Sequence, residues 1–370
     1  MHAAVHRLSA AGPSDTAVLD DAIAHGLIRP ETIVAVLGKT EGNGGVNDFT
    51  RGFATASFRT CLACQLGIPA AAVEARVPLV MSGGTEGGLS PHWLVFTVDR
   101  MPGITLRHAR KSLAIGVAFT RLFTPEDIGR RTQAVATARA VRAAMAEATI
   151  TDASDVHFVQ VKCPLLTASC MAEATARGGR VVTPDPYKSM GFSRGASALG
   201  VAMALGEVAD EAVQDERVCR DFDLFSSRAS ASAGIELMRN AILVLGNSVA
   251  WESHFVIGHA VMGDALDTAA VDRALTMADA ALGSAAGTTQ TDRLAALLCK
   301  AEASRTGTIH GHRHIMLDDS DINATRHARA LVGGVLAGRV GDTRLFVSGG
   351  AEHQGPEGGG PLAVIISLRS

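Results

Sequence analysis

Three lysines, three arginines and three serines recur along the chain in one order and in similar company. Each lysine ends an apolar run: IVAVLGK (Lys39), VHFVQVK (Lys162) and LAALLCK (Lys300). Each arginine directly follows Ser or Thr: NDFTRGFATA (Arg51), GFSRGASALG (Arg194) and NATRHARALV (Arg326). Each serine precedes small residues: VMSGG (Ser82), RASASAG (Ser232) and LFVSGG (Ser348). A serine hydroxyl becomes a nucleophile when a base takes its proton. A lysine can be that base once burial and neighbouring cations lower its pKa. Guanidinium forks suit a planar anion, and backbone N–H groups beside a small residue can hold an oxyanion. Three pairs have the parts: Lys39/Ser82, Lys162/Ser232 and Lys300/Ser348. Their symmetry does not choose among them, although the second reads Ser-Ala-Gly where the others read Ser-Gly-Gly. Ser230 falls two places too early for the Ser-small-Gly frame.

These groups need elements to hold them. Each arginine precedes an Ala/Leu/Val-rich stretch, so Thr50, Ser193 and Thr325 are predicted N-caps and each arginine falls in a first helical turn. That is the unfavourable end for a cation, which points to an anionic or polar ligand facing each one. The serine segments end strand-like runs. Further strands are expected near 112–119, 253–262 and 361–368, and helices near 15–26, 125–148 and 265–282. Boundaries near 104–110 and 249–253 give three repeat units, 1–104, 111–249 and 253–370. The expected fold class is α/β (α+β), with the units around a pseudo-threefold axis and their sheets facing a central cavity. Taken singly, an S-G-G is an ordinary turn, an S/T-R a surface helix start, and a lysine after an apolar run a snorkelling side chain. The ordered triple recurrence is what sets them apart.

Other function classes fit poorly. VAVLGKTEGNGG looks like a phosphate loop, but the glycine required five places before Gly38-Lys39-Thr40 is Ile33. A net charge of −3 and an aromatic content of 4% give neither a basic surface nor stacking residues for nucleic acid. No membrane partner is expected, since no apolar run has the length of a span. Without a signal-like N-terminus, a soluble, reduced, cytoplasmic protein is expected. Cys61 and Cys64 form a C-x-x-C with no second pair, and are expected to be packed thiols. His310, His312 and His314 would share one face of a strand and could hold zinc, but a structural, hydrogen-bonding role near the third arginine is preferred. DDSD (318–321) lacks the calcium-loop frame and reads as a turn into the third of the arginine-bearing helices.

The motifs GKTEGNGGVNDFTR, MSGGTEGGLSPH, GHRHIMLDDSDINATR and VSGGAEHQGPEGGGP resemble the cyanuric acid hydrolase/barbiturase family of cyclic amide hydrolases along nearly the whole chain. The resemblance implies pseudo-threefold symmetry, central barrel-like sheets with helices outside, and a homotetramer. It implies hydrolytic opening of a cyclic imide: cyanuric acid to carboxybiuret, then biuret and carbon dioxide, or barbituric acid in a barbiturase. It assigns Ser232 as nucleophile and Lys162 as base, with Lys39 and Lys300 as further pocket lysines. Arg51, Ser82, Gly83, Arg194, Ser232, Ala233, Arg326, Ser348 and Gly349 would hold the ring, and Ile322 is the candidate for ring specificity. It also implies a structural Mg²⁺ or Ca²⁺ at Glu302, Ala351, Gln354, Gly355, Pro356 and Gly359, mainly through backbone oxygens, with no cofactor for the chemistry. A protein that merely binds cyclic imides is the non-enzyme alternative, and three intact Lys–Ser pairs argue against it.

Overall fold

The computed structural model describes residues 1–100, 109–281 and 293–368. In chain order the elements are β1 (His2–Ser9), α1 (Ala17–Ala24), β2 (Ile33–Thr40), α2 (Phe49–Leu66), α3 (Ala70–Arg76), β3 (Leu79–Gly83) and β4 (His92–Asp99). There follow β5 (Ser112–Phe119), α4 (Arg131–Glu147), β6 (Val156–Pro164), α5 (Ala168–Ala176), α6 (Pro186–Leu205), β7 (Ala229–Gly234), β8 (Ala241–Ser248) and β9 (Glu252–Ser253). The last are β10 (Phe255–Met262), α7 (Ala269–Ala280), β11 (Leu294–Ala301), β12 (Thr308–Ile309), β13 (His312–Arg313), α8 (Ala324–Val340), β14 (Phe346–Gly349) and β15 (Gly360–Ser367).

Three sheets repeat one plan. Their orders are β3-β2-β4-β1, β7-β6-β8-β5 and β14-β11-β15-β10, with β9 added to the edge of the first beside β1. Each has one parallel pair, and each shifts register at the same place in its second strand: between Ile33 and Ala35, Val156 and Phe158, and Leu294 and Ala296. The three site helices are also capped alike. Asp48, Asp185 and Asn323 accept from backbone N–H groups at the starts of α2, α6 and α8. Gly67, Gly206 and Gly341 end them at φ of 62°, 70° and 73°, a left-handed stop that costs a glycine nothing.

Strand alternation builds two layers. Leu37, Phe96, Ile115, Phe158, Leu245, Ile257, Leu298 and Ile365 meet in one central core drawn from all three sheets. Their neighbours on the other face, such as Val36 and Val95 or Leu297 and Val364, pack against helices. Helices α4 and α7 approach β5 and β10 closely because Gly116 and Gly258 carry no Cβ. A methyl at either would run into the carbonyl of Ala144 or Ala274.

Two expectations need correction. Among the described residues the sheets do not close into a hydrogen-bonded barrel: they are three open sheets that meet through side chains. The short strands β3, β7 and β14 stay at sheet edges, where each delivers its serine to the centre. The caps also lie earlier than expected, since Asx side chains take that role. Thr50 and Thr325 become second helical residues, and Ser193 sits in the middle of α6, bonded by Gln133. Arg194 is therefore not in a first turn. The greater part of the expected boundary at 104–110 lies outside the described residues.

Candidate active site

The parallel strand pairs fix the Lys–Ser geometry. Register sets Lys39 opposite Ser82, Lys162 opposite Ser232 and Lys300 opposite Ser348. All three lysines are buried, and each ammonium nitrogen reaches the carbonyl just before a serine of another sheet. Lys39 bonds Val347 O, Lys162 bonds Met81 O and Lys300 bonds Ala231 O, each at 2.8 Å. Lys39 and Lys300 also bond their own serines, at 3.4 and 3.2 Å. Lys162 makes no such bond to Ser232, whose Oγ instead lies 3.0 Å from Ser348 Oγ.

A landmark missed in the sequence completes the pattern. Glu86, Glu236 and Glu352 each stand four places after a serine. Glu352 holds Arg194 by a two-pronged ion pair, with contacts of 2.8 and 2.6 Å. Glu86 does the same for Arg329, at 2.8 Å to Nε with a second, shorter contact to Nη2. Glu236 lies 3.8 Å from Arg51 and 3.5 Å from Lys162. Each cluster thus takes Lys and Ser from one sheet, Glu from the loop that follows its serine strand, and Arg from the segment of another unit. The arginines run first to second, second to third and third to first, so the set closes in a cycle.

Burial is the main cause that lowers the pKa of each lysine. The guanidinium of the same cluster pushes further: Arg329 on Lys39, Arg51 on Lys162 and Arg194 on Lys300. Lys300 falls to about 7. At Lys162 the Glu236 carboxylate opposes the fall. Amines lowered in this way can act as bases near neutral pH.

Of the nine residues expected to hold the ring, all but Arg326 line one inner cavity. Arg329, which was not expected, takes the third arginine position there. It lies three residues after Arg326, one turn on along the same face of α8, and its side chain is 4% exposed against 43% for Arg326. Arg326 lines an adjoining outer cavity of about 250 Å³ that shares Arg194 and Arg329 with the inner one. Ile322 is exposed between Asp321 and Asn323, both at the rim of the outer cavity. The inner cavity holds about 20 Å³, room for about one water. A ring can enter only as side chains give way, and the long arginines now held by Glu352 and Glu86 are placed to do so.

The loop after Ser348 folds back on the site. Gln354 Oε1 accepts from Ala231 N at 2.7 Å, and Glu302 Oε2 accepts from Ala351 N at 2.7 Å. Elsewhere two readings fail, the second in part. His310 and Gly311, at φ of 52° and 79°, make the turn between β12 and β13, so the three histidines do not share a strand face. His310 pairs with Asp264 at 2.8 Å. Cys61 packs, half-buried, against the core beneath α1 and α2, with its Sγ 3.3 Å from Asp20, whereas Cys64 is exposed, so the packed-thiol reading holds for Cys61 and fails for Cys64. The DDSD segment is the turn expected, with Asp319 accepting from Asp321 and Ile322 just before α8.

The chain matches the model of the amidohydrolase ring-opening protein family (Amido_AtzD_TrzD) over residues 4–367. It is 58% identical to the cyanuric acid amidohydrolase of Ectopseudomonas oleovorans, covering 99% of each chain. It is 55% identical to that of Bradyrhizobium diazoefficiens, covering 98% of each. A solved cyanuric acid hydrolase described as an innovation by structural concatenation superposes with a TM-score of 0.93 at 52% identity, covering 99% of each chain. One from A. caulinodans gives 0.90 at 53% identity, covering 100% of this chain and 99% of that one.

Proposed function

The chain belongs to the amidohydrolase ring-opening protein family, and from that premise we propose that it is a cyclic amide hydrolase that opens cyanuric acid with water. The observation that carries the reading is the closed cycle of three Lys–Ser–Glu–Arg clusters around one cavity. Cyanuric acid repeats a carbonyl and an N–H three times around a flat ring, so each cluster meets the same edge. Three guanidiniums can hold the ring oxygens, and the N–H groups at Ser82-Gly83, Ser232-Ala233 and Ser348-Gly349 can donate to carbonyls.

In this reading Ser232 Oγ attacks a ring carbon and Lys162 takes its proton, then passes it to the departing ring nitrogen. Water releases the carbamoyl group from Ser232 by the same proton path in reverse. The product, carboxybiuret, loses carbon dioxide to give biuret. Ser232 suits the role as the most exposed of the three serines, at 7% against 5% and 2%, with its hydroxyl free of its own lysine. The 3.2 Å bond from Lys300 to Ser348 supports a second reading, with Ser348 as nucleophile.

Purified protein is expected to form biuret from cyanuric acid and to open barbituric acid at least about 100-fold more slowly, because one ring N–H donor is replaced by CH₂. Faster opening of barbituric acid without biuret would make the protein a barbiturase, with Ile322 as the first position to exchange. Binding of both rings with turnover of neither would make it a binding protein.

The Gly-rich loop fits a structural Mg²⁺ or Ca²⁺. Glu302 has no cationic partner within 4.0 Å among the described ion pairs, and burial followed by the nearby Glu352 raises its pKa. A hard cation would offset that charge, taking Glu302 and the backbone oxygens of Ala351, Gln354, Gly355, Pro356 and Gly359. Gly359 leaves room beside Met262 O that a Cβ would fill. The ion would brace the loop behind Ser348 and supply no step. Removing it with a chelator is expected to lower Tm, with about 2.7 kcal/mol lost if the site was hundredfold saturated. Added Mg²⁺ or Ca²⁺ should restore it; no bound metal and an unmoved Tm would reject the site.

The same family reading extends to repeat units at 1–104, 111–249 and 253–370, a homotetramer and a cytoplasmic location. Phe49 and Phe53, exposed one turn apart on α2, offer an apolar face for assembly. The six cysteines are free thiols, as a reducing compartment would leave them.

A further inference from the structure

Glu236 breaks the threefold pattern, and a second cavity explains how. Its two counterparts are fixed on arginines. Glu236 instead has a side chain only 9% exposed, and neither carboxylate oxygen takes an aligned hydrogen bond. Of the three site lysines, Lys162 is the one with a carboxylate within 4.0 Å among the described ion pairs. Glu236 also lines a cavity of about 280 Å³ behind the active site, between the α2–β3 region and the segments around Phe119 and Met238. Thr55 Oγ1, a second buried oxygen without a hydrogen-bond partner, lines the same cavity. Its outer end carries Leu122, which is 71% exposed. Both polar groups are buried in the wall of this cavity, so a side-chain rotation has to bring them to the water that a space of this size holds.

We propose that this rear cavity is a proton exit, in which Glu236 relays a proton from Lys162 to water and so to solvent while the ring or its product fills the front. The proposal rests on Lys162 being the base. Opening a neutral ring with water breaks one C–N bond, and ionisation of the resulting carbamic acid releases one proton per turnover. That proton passes to the Lys162 amine, giving the ammonium. The ammonium must lose it before the next cycle, and the buried Lys162 has no direct contact with solvent. Glu236 accepts it at 3.5 Å and, on rotating toward the cavity, hands it to water there. The charged groups facing Glu236 are Lys162 and Arg51 on the site side, with Glu74 and Arg239 on the cavity side. Glu236 is a positioning and relay residue, since it acts through Lys162.

The test compares Glu236→Gln, Glu236→Asp and Glu236→Ala with the parent enzyme, and adds Thr55→Leu to narrow the cavity without touching the site. Glu236→Gln is expected to lower kcat about 100-fold, the lower range for loss of a proton-transfer group, with KM nearly unchanged and a larger solvent deuterium isotope effect. Glu236→Asp should recover part of the rate, formate should rescue Glu236→Ala, and Thr55→Leu should slow kcat and raise the isotope effect. An unchanged isotope effect in Glu236→Gln, or no rescue by formate in a folded Glu236→Ala, overturns the relay. Should one variant fail to fold, the isotope effect of Thr55→Leu decides alone. Ser232→Ala separates the two readings: an inactive Ser232→Ala beside a normal Glu236→Gln rejects the relay only, whereas an active Ser232→Ala rejects the Lys162–Ser232 dyad beneath it.

Discussion

Ser232→Ala is expected to lower kcat by about 10⁵–10⁶-fold while ring binding survives, the scale of loss when a nucleophile is removed from a unit that acts together. The change deletes one oxygen at a site already lined by small residues, so the fold should hold and calorimetry should still record ring binding. Ser82→Ala and Ser348→Ala lose a hydroxyl that holds a ring carbonyl and should cost about 10²–10³-fold each. The contrast matters because the resting geometry favours a different pair by hydrogen bonding, Lys300 with Ser348. Catalytic hydrogen bonds often tighten only once the reactant is bound, so a missing Lys162–Ser232 bond does not disqualify that pair. The pH profile gives a second check. The base must be the neutral amine, and burial lowers the pKa of Lys162. The rate should therefore rise with pH through that lowered pKa and level off below the ordinary lysine range. A larger loss in Ser348→Ala than in Ser232→Ala would move the nucleophile to Ser348.

Much of this site could be read from the chain because its parts are local. A lysine at a strand end and a serine before glycine are fixed by a few neighbouring residues, and parallel pairing then sets one opposite the other without further instruction. The caps were misread because Asp and Asn two or more places earlier compete with Thr and Ser for the same N–H groups, and the earlier acceptor lengthens the helix. Barrel closure was misread because one edge strand of each sheet, β3, β7 or β14, is only four to six residues long, and leaves little ladder for onward pairing on that side. The glutamates carried a signal, Ser plus four in every repeat, but a carboxylate's meaning comes from its partner. Their arginine partners lie across sheets, over a hundred residues away in each case, where spacing along the chain is silent.

Arg329 and Arg326 are the sharpest instance of that limit, and they part company in a measurement. Arg329→Met is expected to raise KM or lower kcat/KM by roughly 10–150-fold, the range for one charge-assisted hydrogen bond of 1.5–3 kcal/mol. Arg326→Met should change it only a few-fold. Chain order favours Arg326, which follows Thr as Arg51 does. The packing favours Arg329, which is buried against Glu86, lines the inner cavity and is the cation that acts most strongly on Lys39, ahead of Lys300. Removing it also strips Glu86 of its two-pronged partner, and breaking a buried pair can cost about 3–5 kcal/mol. Arg326 Nε, 3.2 Å from Glu86, remains to soften that loss. A second variant separates stability from binding. Arg329→Met with Glu86→Gln leaves no unpaired carboxylate, so Tm should recover while kcat/KM stays low. If Arg326→Met loses as much as Arg329→Met, the outer arginine swings inward on the ring, and the third wall of the site is built from the residue that chain order favours.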